Sequence, residues 1–187
     1  MPTPLDHVAF VVPSIEDAAA TLPVPADLGA IETFAGEGTR ELYVGTPGST
    51  GLLLLMQPIA DGPYARALAK RGPGLHHVAV RVEDARAWAH DAGHHGWLLH
   101  TASLTSWDAA RTLWLCRPGI AGLVEVSEGA AATGAPFVEA VDMRVEAAQA
   151  DRVAALDIAG LRGLGALASS EVVIDGHRWT VGRSHDR

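Results

Sequence analysis

Cysteine occurs once in this chain, at Cys116, so no intrachain disulfide can form and a reducing compartment is expected. Its setting in Leu113-Trp114-Leu115-Cys116 marks it as a small apolar strand residue rather than a nucleophile. Lysine also occurs once, at Lys70, and the chain, with net charge −8, has no basic run. That argues against nucleic acid as a partner, because phosphate neutralisation needs clustered cations. The acidity says little more, since most such charges solvate a surface. The longest apolar run, Leu52 to Met56, falls far short of the roughly 20 residues that cross a bilayer, so no membrane span is expected. Near Met1 no basic segment precedes an apolar one, so no secretory signal is expected and the cytoplasm is the predicted location.

What is there is an ordinary globular composition. The 187 residues are 48% hydrophobic and 19% charged, enough for one substantial core or two small ones. Their most informative feature is a repeated strand opening, Leu5-Asp6-His7-Val8-Ala9-Phe10 and Leu75-His76-His77-Val78-Ala79-Val80. Alternation with period two puts His7, Ala9 and Val11 on one face, and Val8, Phe10 and Val12 on the other. The copies lie 70 residues apart in matched register, which makes His7 and His77 equivalent. The same alternation turns His76 away from His77 and gives it a structural role.

The surrounding pattern repeats as well. A helix begins at Ser14-Ile15-Glu16-Asp17 and is kept short by Pro23 and Pro25, and strands are predicted over 30–34, 40–44 and 51–57. A connecting helix over 64–70 ends at Gly72-Pro73-Gly74. The second copy then runs strand 75–82, helix 84–92 closed by Gly93, and strands 97–101, 111–116 and 122–127. Residues 5–58 and 75–128 therefore read as duplicated strand-helix-three-strand modules. Beyond a small-residue linker, residues 137–187 read as a truncated third module with a helix over 147–156 and a hairpin at Asp175-Gly176. Aligning Arg144-Val145-Glu146 with Arg81-Val82-Glu83 puts Ala140 where His77 stands, so this copy lacks the histidine and is expected to be structural, covering a sheet edge.

Two histidines on equivalent strands, with Glu125 in Leu123-Val124-Glu125-Val126, form a donor set suited to a divalent ion. Each histidine alone would more often be a satisfied core residue; the matched register and the carboxylate favour metal. His90 and His94 have the i, i+4 spacing of a helical pair, with His95 and His100 nearby, but Gly93 is expected to end the helix between them, and the one nearby carboxylate, Asp91, is expected to point elsewhere, so no second site is expected. Trp88, Trp97, Trp107 and Trp114 read as core or pocket lining.

With these residues in view, the chain resembles the vicinal oxygen chelate superfamily, which includes glyoxalases, extradiol dioxygenases, methylmalonyl-CoA epimerases and resistance proteins that sequester a drug. Within it the chain is most similar to the epimerases, through 5–18, through the run from Pro63 to Ala79 containing Gly74-Leu75-His76-His77, and into 122–126. Residues 129–187 lie outside the resemblance. It implies an α+β fold of paired βαβββ modules forming a cup-shaped mixed sheet around a metal site, with an extra C-terminal partial module. His7 and His77 match the epimerase histidine ligands and Glu125 its carboxylate ligand. The family's remaining ligand, counted back from Gln57-Pro58, falls on Leu54, which cannot bind a metal. Glu41 matches the carboxylate that acts as general base.

The resemblance implies a metal-dependent enzyme acting on a small carbonyl or oxygen-rich substrate by proton transfer, as an isomerase or epimerase. Fe, Mn, Co, Ni or Zn would suit the donors. Two readings stand beside it: a non-haem iron(II) dioxygenase using a facial triad of two histidines and one glutamate, and a non-enzymatic small-molecule binding protein. No Arg or Lys cluster marks a phosphate anchor, so CoA recognition is not indicated by the residues. The superfamily builds such sites within one chain or across a homodimer, and the sequence leaves that choice open.

Overall fold

In the computed structural model residues 1–23 and 29–181 are described; Pro25 and the last six residues of the third segment lie outside them. Strand β1 (Leu5–Val11) is followed by α1 (Ile15–Ala20), whose N-cap Ser14 accepts a hydrogen bond from the Asp17 amide. Next come β2 (Glu32–Phe34), β3 (Thr39–Val44) and β4 (Leu52–Pro58). The connecting helix α2 (Pro63–Arg71) leads into β5 (Gly74–Val82) and α3 (Ala85–His94). Strand β6 (Leu98–Leu99), helix α4 (Ser103–Ala110), β7 (Thr112–Cys116) and β8 (Leu123–Glu128) complete this half.

These eight strands form one mixed sheet in the order β2-β3-β4-β1-β5-β8-β7-β6. β1 pairs parallel with β4, β5 pairs parallel with β8, and the halves meet through the antiparallel β1–β5 pair. The order reads the same from either edge, so the sequence repeat is a two-fold relation across β1 and β5. One face carries Val8, Phe10, Leu53, Leu55, Val78, Val80, Val124 and Val126, all packed in the main core. The opposite face carries the histidines.

Three elements of the second half depart from expectation. The strand expected over 97–101 is only two residues long, and the unpredicted α4 follows it. Helix α3 passes through Gly93 and stops at His94. Gly93 is an ordinary helical residue; the left-handed position that closes the helix is Gly96, at φ 82°.

The C-terminal segment forms a second sheet, β10-β9-β11-β12, from β9 (Ala140–Arg144), β10 (Leu161–Leu164), β11 (Glu171–Ile174) and β12 (His177–Trp179). The helix expected over 147–156 is a 3-10 turn at Ala147–Gln149 followed by α5 (Ala150–Ala154). The hairpin at Asp175-Gly176 is present, with φ of 48° and 73°, as a two-residue turn between twisted strands needs.

This second sheet does not extend an edge of the first. It backs the face opposite the histidines, with Val141, Met143, Val172 and Ile174 in the same core as Phe10. The apolar face of a sheet must be covered along its whole area, which outweighs the capping of an edge. Trp179 ties the two sheets together: it packs edge-on against Phe10 at 5.3 Å, and its indole N–H donates to Thr21 Oγ1 at 3.0 Å. Trp179→Ala is expected to cost about 3–5 kcal/mol, measured by urea unfolding; a loss under about 1 kcal/mol would show that the second sheet adds little to the fold. No helix among the described residues is long and apolar enough to cross a membrane.

Candidate metal centre

The sheet register brings the repeated histidines together. His7 pairs with Ala79, and Ala79 pairs with Glu125, so His7 and Glu125 flank one alanine in a row across three strands. His77 pairs with Ala9, one row along. Alanine at both intervening positions leaves the space between the larger side chains open. Their donor atoms converge: His7 Nε2 lies 3.1 Å from His77 Nε2, and Glu125 Oε2 lies 3.9 Å and 3.4 Å from these two nitrogens. A point equidistant from the three atoms is about 2.0 Å from each, the bond length of a first-row divalent ion to imidazole and carboxylate. The residues present thus fit a divalent metal, and all three belong to one chain.

The two-fold relation also explains Leu54. Across the row from His77, beyond Ala9, it occupies the place that Glu125 holds relative to His7 beyond Ala79. It is buried with Ala9, Val11, Met56 and Tyr64 in a small apolar cluster. The fourth side of the centre is therefore hydrocarbon.

Each histidine is held at its other nitrogen by the residue before it. Asp6 Oδ2 lies 2.8 Å from His7 Nδ1, and His76 Nδ1 lies 3.0 Å from His77 Nδ1. Strict alternation, which turned His76 away, fails here for a local reason. The β1–β5 register shifts by one residue between Leu5 and His7 and again between Ala9 and Phe10, leaving Asp6 and His76 as the extra residues of two bulges. A bulge re-aims its side chain. His76 is thereby packed between His77 and the Tyr64 ring, whose centroid is 4.9 Å away.

Burial sets the charge states. Desolvation holds the fully buried His77 well below the usual histidine range, helped by neighbouring His7 and His76. Desolvation, with Arg71 and His100 nearby, lowers His76 to about 4. Both are therefore neutral at pH 7, the state in which an imidazole nitrogen can offer a lone pair. Desolvation raises Glu125, although His7 and the Ser127 hydroxyl pull the other way.

Glu41 sits on β3 opposite Met56, on the same sheet face as Thr39 and Tyr43. It is buried, and its Oε1 accepts a hydrogen bond from Thr39 Oγ1 at 2.7 Å. Desolvation raises its pKa; the Thr39 hydroxyl opposes this and the Glu37 charge adds to it. Tyr43, two residues on, packs edge-on against His7 at 5.7 Å, and both Glu41 and Tyr43 line a cavity of about 380 Å³. On the other side Trp114 packs edge-on against His77 at 5.0 Å, as a pocket-lining tryptophan.

A larger cavity of about 1020 Å³ reaches His76 and Trp114 and is walled by α2, which presents Arg66, Lys70 and Arg71 to it. These outnumber the two acids there, Glu37 and Asp61. The expected absence of a cation cluster is thus corrected: the helical turn gathers three cations on one wall that look scattered in sequence. His90, Asp91 and His94 do share a face of α3, since the helix runs past Gly93, but all three are exposed on its outer surface.

A model described as the glyoxalase/bleomycin resistance protein/dioxygenase superfamily matches residues 6–109. No curated protein matches the chain. Among solved structures, a hypothetical protein from Bacillus halodurans is 23% identical with a TM-score of 0.54, covering 67% of this chain and 94% of that one. Methylmalonyl-CoA epimerase from Mycobacterium tuberculosis is 28% identical with a TM-score of 0.51, covering 69% and 89%. A methylmalonyl-CoA epimerase in complex with methylmalonyl-CoA and ammonium is 22% identical with a TM-score of 0.50, covering 71% and 100%.

Proposed function

Because the chain belongs to the glyoxalase/bleomycin resistance protein/dioxygenase superfamily, we propose that it is a metal-dependent enzyme that moves a proton next to a substrate carbonyl, as an epimerase or isomerase. The observation that carries this reading is the convergence of His7, His77 and Glu125 on one sheet face, with the buried Glu41 carboxylate on that same face. His7, His77 and Glu125 would hold the ion, which supplies a Lewis acid for the negative charge that develops on the carbonyl oxygen. Glu41 removes the proton from the adjacent carbon. Its Thr39 hydrogen bond fixes the carboxylate, and its raised pKa makes it a stronger base than an exposed glutamate. Leu54, Met56 and Tyr64 give that sheet face an apolar cluster beside the donors.

The cation-lined cavity beside Trp114 favours a substrate with an anionic tail. An acyl-CoA of the kind bound by a similar epimerase fits that description. Residues 137–187 are structural in this reading, since their described strands back the sheet that holds the donors.

One experiment separates this from the runner-up. Cobalt-loaded protein incubated with methylmalonyl-CoA in deuterium oxide is expected to replace the α-proton with deuterium, read by proton NMR. The dioxygenase reading is favoured by Leu54, which leaves two histidines and one glutamate as the protein donors. Oxygen uptake that requires ferrous iron, with no deuterium incorporated, would replace the epimerase reading with it.

A further inference from the structure

We propose that Asp6 and His76 are paired positioning residues, each placed by a bulge to aim the following histidine's Nε2 at the shared metal position. This rests on the metal reading of His7, His77 and Glu125. The geometry is repeated across the two-fold relation. In each half the residue before the histidine is the one the register skips, and in each half its side chain meets that histidine's Nδ1, at 2.8 Å from Asp6 and 3.0 Å from His76. Without the bulges, alternation would turn both side chains toward the opposite face, and Nδ1 would have no partner.

The contact sets the tautomer. An imidazole that offers the Nε2 lone pair to a metal carries its proton on Nδ1, and that N–H needs an acceptor. Asp6 accepts from His7 with a carboxylate oxygen. His76 accepts from His77 with its own Nδ1 lone pair, so the His76 proton lies on Nε2. The halves are thus equal in geometry and unequal in charge: a carboxylate makes His7 the more electron-rich donor, while a neutral imidazole leaves His77 weaker. The two side chains also face different surroundings. Asp6 is tied outward to Arg81 Nε at 3.4 Å, whereas His76 lines the large cavity. A molecule in that cavity therefore touches the residue that orients His77.

The test is cobalt(II) affinity, measured by competition with a chromophoric chelator, together with the visible ligand-field spectrum. His76→Leu keeps bulk but removes the acceptor, and is expected to weaken cobalt binding about 10–100-fold and alter the spectrum. His76→Asn places an amide oxygen where the imidazole Nδ1 sat, and is expected to bind within about threefold of wild type. Asp6→Ala is expected to weaken binding about 10–100-fold, with Asp6→Asn between it and wild type. The melting temperature of each metal-free variant reports folding separately. Wild-type affinity and spectrum in folded His76→Leu would overturn the proposal while leaving the metal centre in place. A wild-type protein that takes up no cobalt would overturn both.

Discussion

Glu41→Gln is expected to lower the rate of α-proton exchange by about 10²–10⁴-fold while cobalt content stays at the wild-type level. Glutamine keeps the shape and the Thr39 contact but cannot accept the proton. Glu41 is not among the converging donor atoms, so its loss separates proton transfer from metal binding. The pH profile carries the same prediction. A general base must be ionised, so kcat/KM rises with pH through the pKa of Glu41. Burial raises that pKa above the ordinary glutamate value of 4.5. The acid limb of the profile is therefore expected above the range of an exposed carboxylate, and to be missing from the residual activity of Glu41→Gln. Full exchange by that variant would remove Glu41 from the mechanism.

The second large effect is expected from the donor set itself. Cobalt at about 1,000 times its dissociation constant adds about 4 kcal/mol of stability, because it binds the folded chain and not the unfolded one. For a chain of this length that is a rise of roughly 8–16 °C in melting temperature. His7→Ala and Glu125→Ala are each expected to abolish the rise, since two remaining donors hold an ion far less tightly than three. The increment should also shrink as pH falls, because protons compete with the metal for imidazole and carboxylate. The exposed cluster on α3 is not expected to reproduce it, as His90, Asp91 and His94 are solvated on one helix. Retention of the full rise in both variants would show that the ion binds elsewhere.

Much of this was legible in the chain. The His7 and His77 strands could be matched because the duplicated segments keep the same alternation, and Glu125 falls at the matching place in the second copy. Through the family resemblance Leu54 stood out as a leucine at the family's remaining ligand position, and the register places it across Ala9 from His77. Helix α4 was not legible, because Ser103-Leu104-Thr105-Ser106 shows no apolar period and is capped by Arg111 in a left-handed conformation. The orientation of His76 was not legible for a different reason. Alternation assumes an unbroken ladder, and nothing in Leu75-His76-His77 announces that the ladder slips there. The cations of α2 were missed because Arg66, Lys70 and Arg71 form no run, and only the helix and the cavity beside it bring them to one wall.

The sequence by itself determined which residues are equivalent: a repeat with period-two apolar alternation specifies two sheet halves, their buried face, and a histidine at the same point of each. That information is local, carried by residue type and spacing. Tertiary structure decided what the equivalence means. Pairing β1 with β5 brought atoms 70 residues apart to 3.1 Å, and two register slips turned Asp6 and His76 onto the imidazoles. It also laid the second sheet across the opposite face rather than along an edge. These outcomes depend on which strand meets which and where the ladder slips, a balance of hydrogen bonding and burial over the whole sheet that no single segment contains.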